Sequence, residues 1–119
     1  MDPRRQFGND AENLAARFLV SKGMKILERQ YRERVGEIDI IARDKNDIVF
    51  VEVKARKGSE FGYPEESVTD SKLRRIQAVA EVYLQKHGLQ SMSYRIDVVA
   101  IEYRDDNEPL ITIVPVVEV

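Results

Sequence analysis

Two carboxylates and an amine stand at strand spacing near the middle of the chain. Asp39 lies in Gly36-Glu37-Ile38-Asp39-Ile40-Ile41-Ala42, and Glu52 and Lys54 lie in Val49-Phe50-Val51-Glu52-Val53-Lys54-Ala55-Arg56. Residues two apart in a strand share a face. Regular alternation therefore groups Glu37, Asp39 and Ile41 against Ile38, Ile40 and Ala42, and it puts Glu52 and Lys54 on the face of Ile48 and Phe50, opposite Val49, Val51 and Val53. The connecting Asp44-Lys45-Asn46-Asp47 sets how the faces meet. A two-residue loop at Lys45-Asn46 pairs Asp44 with Asp47 and hence Asp39 with Glu52; a loop of odd length shifts the register by one. In the first register the two carboxylates have Cβ atoms roughly 5 Å apart, which is destabilising for like charges, and Glu37 faces Lys54 as an ion pair. A divalent cation relieves the repulsion, since Mg²⁺ takes carboxylate and water oxygens at about 2.0 to 2.1 Å.

Such a pair holds Mg²⁺ against a phosphate, where the ion acidifies water and offsets developing charge. Lys54, a compact cation on a rigid strand, would orient the water or steady the phosphorane oxygens. A hairpin with one solvated face carries the same residue types, so alternation alone does not decide. A further acid comes from the first helix, where Glu12 projects about 100° from the centre of the apolar stripe. Asp10 lies equally far to the other side, and helical geometry does not choose between them.

These residues need elements to hold them. Phe7, Ala11, Leu14, Ala15, Phe18 and Leu19 recur at helical spacing before Gly23, predicting a helix over about Pro3 to Lys22. Lys25 to Tyr31 is a short strand, Arg32 to Gly36 a hairpin connection, and Glu37 to Arg43 and Asp47 to Ala55 two further strands. Arg56 to Val68, with Gly58, Gly62 and Pro64, reads as a long loop. Thr69, Asp70 and Ser71 can cap a second helix with the stripe Leu73, Ile76, Ala80, Tyr83 and Leu84, ended by Gly88. Ser93 to Tyr103 and Leu110 to Val117 are strands either side of the turn-like Asp105 to Pro109. The order is α, β, β, β, α, β, β.

The 119 residues suit one domain, 1–119, with no repeat or linker. Apolar residues at 43% and charged residues at 34% are a globular composition with a charged surface. Zero cysteines exclude disulfides and thiolate metal sites. No apolar run approaches the roughly 18 residues of a membrane span, and the N-terminal residues lack the apolar core of a secretory signal, so the cytoplasm is the expected location. A net charge of −2 counts against a general nucleic-acid binder. The charge is nevertheless clustered: Arg32, Arg34, Arg56 and Lys57 flank the proposed site, and Lys72 and Arg75 stand at the start of the second helix, forming a candidate phosphate track. Arg74 reads as solvated, His87 as a helix-end charge, Asp97 as an ion-pair partner of Arg95, and Tyr31, Phe61 and Tyr63 as packing residues.

The two blocks around Asp39 and Glu52, followed by Phe61-Gly62, resemble the YraN-like family of uncharacterised bacterial proteins. Through it they resemble the PD-(D/E)XK nuclease superfamily, whose archaeal Holliday junction resolvases are of similar size. The resemblance extends to Ala11-Glu12 with Ala15 and Leu19, to Lys72 and Arg75, and to Arg95-Ile96-Asp97-Val98-Val99. It implies an α/β fold with a restriction-endonuclease-like α-β-β-β-α-β core, a mixed central sheet flanked by helices. It implies Asp39 and Glu52 as metal ligands with the Val53 carbonyl, Lys54 as the catalytic lysine and Glu12 as the helix-borne acid. The expected activity is Mg²⁺-dependent endonuclease cleavage, with Mn²⁺ as a substitute, of branched or structured DNA by a homodimer. The alternatives are a non-catalytic nucleic-acid-binding module of the same fold and a protein-interaction domain.

Overall fold

The computed structural model describes residues 3–57, 68–105 and 107–118. Its elements follow the expected order: α1 (Pro3–Ser21), β1 (Lys25–Glu33), β2 (Gly36–Asp44), β3 (Asp47–Lys57), α2 (Asp70–Lys86), β4 (Ser93–Arg104) and β5 (Asn107–Glu118). The five strands form one sheet in sequence order, antiparallel except for β3 and β4. That parallel pair needs a crossover, and α2 supplies it. This is the mixed sheet with flanking helices of a restriction-endonuclease-like core. Among the described residues no helix is long and apolar enough to cross a membrane.

The helices cover opposite faces. Ala11, Ala15, Ala16 and Leu19 of α1 pack on Ile40, Ala42, Val49, Val51, Val99 and Ile101, and the three alanines let the helix lie close to the sheet. On the other face Ile76, Val79, Ala80, Tyr83 and Leu84 of α2 cover Ile38, Ile41, Ile48, Phe50 and Ile96. Central strands covered on both sides are apolar without alternation, as in the buried run Ile48 to Val51 of β3. Thr69 caps α2 by accepting the Lys72 N–H at 3.2 Å.

Several boundaries differ from expectation. β1 runs on to Glu33, leaving Arg34-Val35 as the turn, because Arg32 and Glu33 pair with Glu37 and Gly36. Pairing of Arg104 with Asn107 likewise draws Asn107 to Pro109 into β5. Arg56 and Lys57 belong to β3, where they pair with Glu102 and Tyr103. The rest of the expected loop, with Phe61, Gly62 and Tyr63, lies outside the described residues apart from Val68.

The β2–β3 hairpin has the even register, from Asp44 opposite Asp47 to Ile40 opposite Val51. Lys45, in the two-residue turn, takes a left-handed φ of 57°. Beyond Ile40 and Val51 the strands part: β2 stays on β1 as far as Gly36, and β3 stays on β4 as far as Lys57. Asp39 and Glu52 are the first residues past this fork.

The face assignment from simple alternation needs correction. Ile40 packs on the α1 side of the sheet but Ile38 on the α2 side. In β1, Arg29 reaches Glu12 of α1, whereas Tyr31, two residues on, packs edge-on against Tyr83 of α2. Both strands change face at one place, between the rungs Arg29–Ile40 and Tyr31–Ile38. Gln30 occupies that place in β1 with a left-handed φ of 50°, and Asp39 occupies it in β2. A left-handed residue turns the pleat by one position.

Candidate functional site

Where the hairpin ladder ends, side chains take over from backbone. Asp39 Oδ2 accepts the Val53 N–H at 2.8 Å, satisfying a donor that the parting strands leave unpaired. The carboxyl is pushed up to about 7, chiefly by burial, then by the negative charge of Glu52, with smaller contributions from Glu12 and Glu37; the Val53 bond works against the rise. The ladder ends one rung short of placing Asp39 directly opposite Glu52, yet the two carboxylates stay within electrostatic reach of each other.

Glu52 has two cationic neighbours, Lys72 Nζ at 2.7 Å and Lys54 Nζ at 3.7 Å. The two amines differ. Burial lowers Lys54, and the neighbouring Lys72 lowers it further; burial is also the largest influence on Lys72 and opposes its charge, but the hydrogen bonds to Glu52 and Lys54 and the negative charges of Glu52 and Asp39 together outweigh it and raise that group. The outcome is a pair of neighbouring lysines shifted in opposite directions, Lys72 up and Lys54 down. Glu37 pairs with Arg32 at 3.5 Å instead of with Lys54, because beyond the fork β2 faces β1 and not β3.

Glu12 is 7% exposed, whereas Asp10 is exposed and takes a hydrogen bond from Gln6 one helical turn away. Glu12 accepts from Arg29 through Nη2 at 3.1 Å and Nε at 3.3 Å, and from Gln30 Nε2 at 3.5 Å. The left-handed residue and its predecessor thus hold the helix carboxylate, whose charge in turn reaches Asp39. A distorted rung is the device that brings α1, β1 and β2 to one place.

The basic residues separate. Lys72 sits at the fork on Glu52 and not on an outer track. Arg32, Arg34 and Arg75 line one concavity of about 610 Å³ at the β1–β2 turn. There Gly36 has no side chain because a Cβ would stand 2.9 Å from Cγ of Arg75 and 3.3 Å from Cγ2 of Val79. Arg56 lies half-buried on β3, and Lys57 places Nζ over the Phe7 ring at 5.6 Å, joining β3 to α1. Asp97 is fully buried and bonded to Arg95, which also reaches Asp44 and Asp47, so this cluster ties the hairpin turn to β4. His87 stacks on Tyr83 with ring centroids 4.1 Å apart at the end of α2.

Sequence reasoning passed over Arg29, Gln30 and the place of Lys72. Lys72 had a usable signal: a helix that crosses over from β3 to a parallel neighbour begins above the C-terminal half of β3. Arg29 and Gln30 had none.

Among the described residues no three histidine or acidic side chains converge as a ready-made metal cage. The oxygens available at the fork nevertheless suit Mg²⁺, which commonly takes one or two carboxylates, waters and substrate phosphate. The Asp39 carboxyl is raised first by its burial and then by the charge of Glu52, so a cation reaching both would favour its ionised form.

Comparison with known proteins gives a family. A sequence model described as "Uncharacterised protein family UPF0102" matches residues 11–101, a span that includes Glu12, Asp39, Glu52, Lys54 and Lys72. The chain is 44% identical to a UPF0102 protein of Caldicellulosiruptor saccharolyticus, over 90% of this chain and 91% of that one. It is 45% identical to one of Clostridioides difficile, over 82% and 85%, and 44% identical to one of Desulfosudis oleivorans, over 93% and 90%.

Proposed function

The chain belongs to the uncharacterised protein family UPF0102, and from that footing we propose that it is a metal-dependent endonuclease hydrolysing phosphodiester bonds in branched or structured DNA. The observation that carries this reading is the convergence of Asp39, Glu52, Lys54 and Lys72 where β2 and β3 part. Asp39, Glu52 and the Val53 carbonyl would hold Mg²⁺ or Mn²⁺. When bound, the ion supplies a more acidic water and offsets charge developing on the phosphate.

The remaining steps belong to the chain's own groups. Lys54, whose amine is lowered by burial and by the neighbouring Lys72, takes the proton of the attacking water from its neutral form. Lys72 stays charged and stands ready to face phosphate oxygens once substrate enters. The Glu12–Arg29 pair keeps α1 and β1 locked at the side of Asp39. Arg32, Arg34 and Arg75, with Arg56 and Lys57 beyond the site, give the DNA backbone cationic partners. Two copies related by a two-fold axis would present two such sites to two strands, and the compartment in which DNA is met is the cytoplasm.

One observation favours a second reading. Lys72 already lies on Glu52, where a metal's charge would otherwise act, as suits a nucleic-acid-binding module without turnover. Incubation of four-way, flap, single-stranded and duplex DNA with Mg²⁺ or Mn²⁺ separates the two. Metal-dependent product that disappears in Asp39→Ala supports the nuclease; salt-sensitive binding unchanged by EDTA and by Asp39→Ala, with no product, supports the binding module.

A further inference from the structure

A second concavity, also of about 610 Å³, lies between α1 and β1. The helix contributes Arg5, Asn9, Glu12 and Asn13, and the strand contributes Arg29, Gln30 and Arg32. Steps of three and four along α1 place its four residues in one stripe beside the buried alanines. On the strand, Arg29 faces this helix because the left-handed Gln30 sends its two neighbours to opposite faces. The rung that carries Asp39 into the fork therefore also builds this groove, and Glu12 lines the groove while its charge reaches Asp39.

The lining chemistry is specific. Three guanidiniums meet one carboxylate, and Glu12 neutralises Arg29 alone; Arg32 has Glu37 at 3.5 Å with both side chains well exposed, a weak pair. A cationic surplus remains, of the kind that binds phosphate. Asn9, Asn13 and Gln30 add paired donors and acceptors, which match the hydrogen-bonding edge of a base. Size then decides between ligands. Pockets of roughly 300 to 1,000 Å³ hold molecules of drug size, which is the scale of one nucleotide and far below a turn of duplex.

We propose that the α1–β1 groove is a subsite for an unpaired nucleotide of the substrate strand, its phosphate held by Arg5, Arg29 and Arg32 and its base edge by the amides of Asn9, Asn13 and Gln30. The nucleotide is the neighbour of the phosphate at the fork, so the substrate has a single-stranded segment beside the cut. The place of the cut rests on the nuclease reading; the binding does not.

Fluorescence anisotropy tests the subsite without turnover. The probe is a labelled single-stranded deoxyoligonucleotide of roughly ten residues, titrated in EDTA at low salt. Arg5→Ala with Asn13→Ala, both at exposed positions of α1, should weaken binding by roughly tenfold and reduce the salt slope by about one. Arg17→Ala, an exposed charge on α1 outside the groove, should bind as wild type, and blunt duplex should be equally held by all variants. Wild-type affinity in the double variant, or equal loss of single strand and duplex, overturns the proposal. So does displacement of the strand by a deoxynucleoside monophosphate at lower concentration than by unlabelled oligonucleotide, which would make a free nucleotide the ligand. Groove-dependent binding without any Mg²⁺-dependent cleavage upholds the subsite and sinks the nuclease reading; cleavage with no groove dependence does the reverse.

Discussion

Lys72 Nζ of α2 lies 2.7 Å from Oε1 of Glu52 on β3. The contact joins the first turn of the crossover helix to the strand carrying Glu52 and Lys54, and it makes the two lysines unequal. Lys72 is held in its charged form, and Lys54 is driven toward its neutral form by burial and by that neighbour.

Lys72→Met should therefore alter the ionisation of Lys54 more than it alters the fold. Both partners are partly solvated, so the loss of stability is about 1 kcal/mol or less. With the neighbouring charge gone, the Lys54 amine rises, and a cleavage rate that depends on its neutral form shifts its ascending limb to higher pH. A pH–rate profile checks this, and an unmoved limb would show that Lys54 is not the titrating group.

Asp39 gives a pH dependence of stability with a defined sign. Its folded-state carboxyl, at about 7, lies above the usual carboxylate range. The stability it contributes is complete below the unfolded value near 4 and is lost as pH rises through about 7. In chelator, urea unfolding should find Asp39→Asn more stable than wild type at pH 8, with the advantage shrinking toward pH 5. Glu52 shares the titration, so the curve belongs to the pair. Metal binding must displace the same proton, and apparent affinity for Mg²⁺ should climb up to pH 7 and then level.

Gln30 tests the distorted rung. A non-glycine residue at a φ of 50° carries strain that glycine relieves. Gln30→Gly should be as stable as wild type or more stable by up to about 1 kcal/mol. Gln30→Val, β-branched and averse to this region, should lose about 2 kcal/mol and disturb the backbone amide signals of Asp39 and Val53 in NMR spectra. Unchanged spectra would mean that β1 does not set the geometry of the fork.

Arg29 holds a nearly buried carboxylate. Arg29→Met should cost about 1 to 3 kcal/mol because Glu12 is left with little to bond, and adding Glu12→Gln should recover most of that loss. A double-mutant cycle by urea unfolding measures the coupling, and additive losses would deny it.

Much of this arrangement is legible in the sequence. Asp44-Lys45-Asn46-Asp47 offers an even hairpin register for a two-residue loop, which the structure adopts, and helical spacing marks both buried stripes, although Val79 escapes because Ala80 and Tyr83 already define the face. The fork is not legible, since Glu37 and Ile38 continue a strand pattern and only pairing partners reveal that β2 has left β3 for β1. The change of face is hidden for a related reason. Gln30 has no propensity for a left-handed backbone, and tertiary contacts hold it there, so alternation assigns Ile38 to the wrong side. Glu12 and Asp10 look alike on a helical wheel, and burial beside Arg29 separates them. Its basic clusters are visible as clusters, yet their division into a fork lysine, a groove at the β1–β2 turn and a β3 pair requires the folded chain.

The central claim is that the residues at the fork hydrolyse a phosphodiester bond with a divalent metal. Its most direct measurement is the single-turnover rate on four-way and flap DNA with Mg²⁺, compared among wild type, Asp39→Asn, Glu52→Gln and Lys54→Met. Cleavage by wild type that is abolished by EDTA and reduced roughly 100-fold or more by each substitution is the expected result. Cleavage that survives all three substitutions, or wild-type protein that binds these DNAs and leaves them intact with both Mg²⁺ and Mn²⁺, would contradict it.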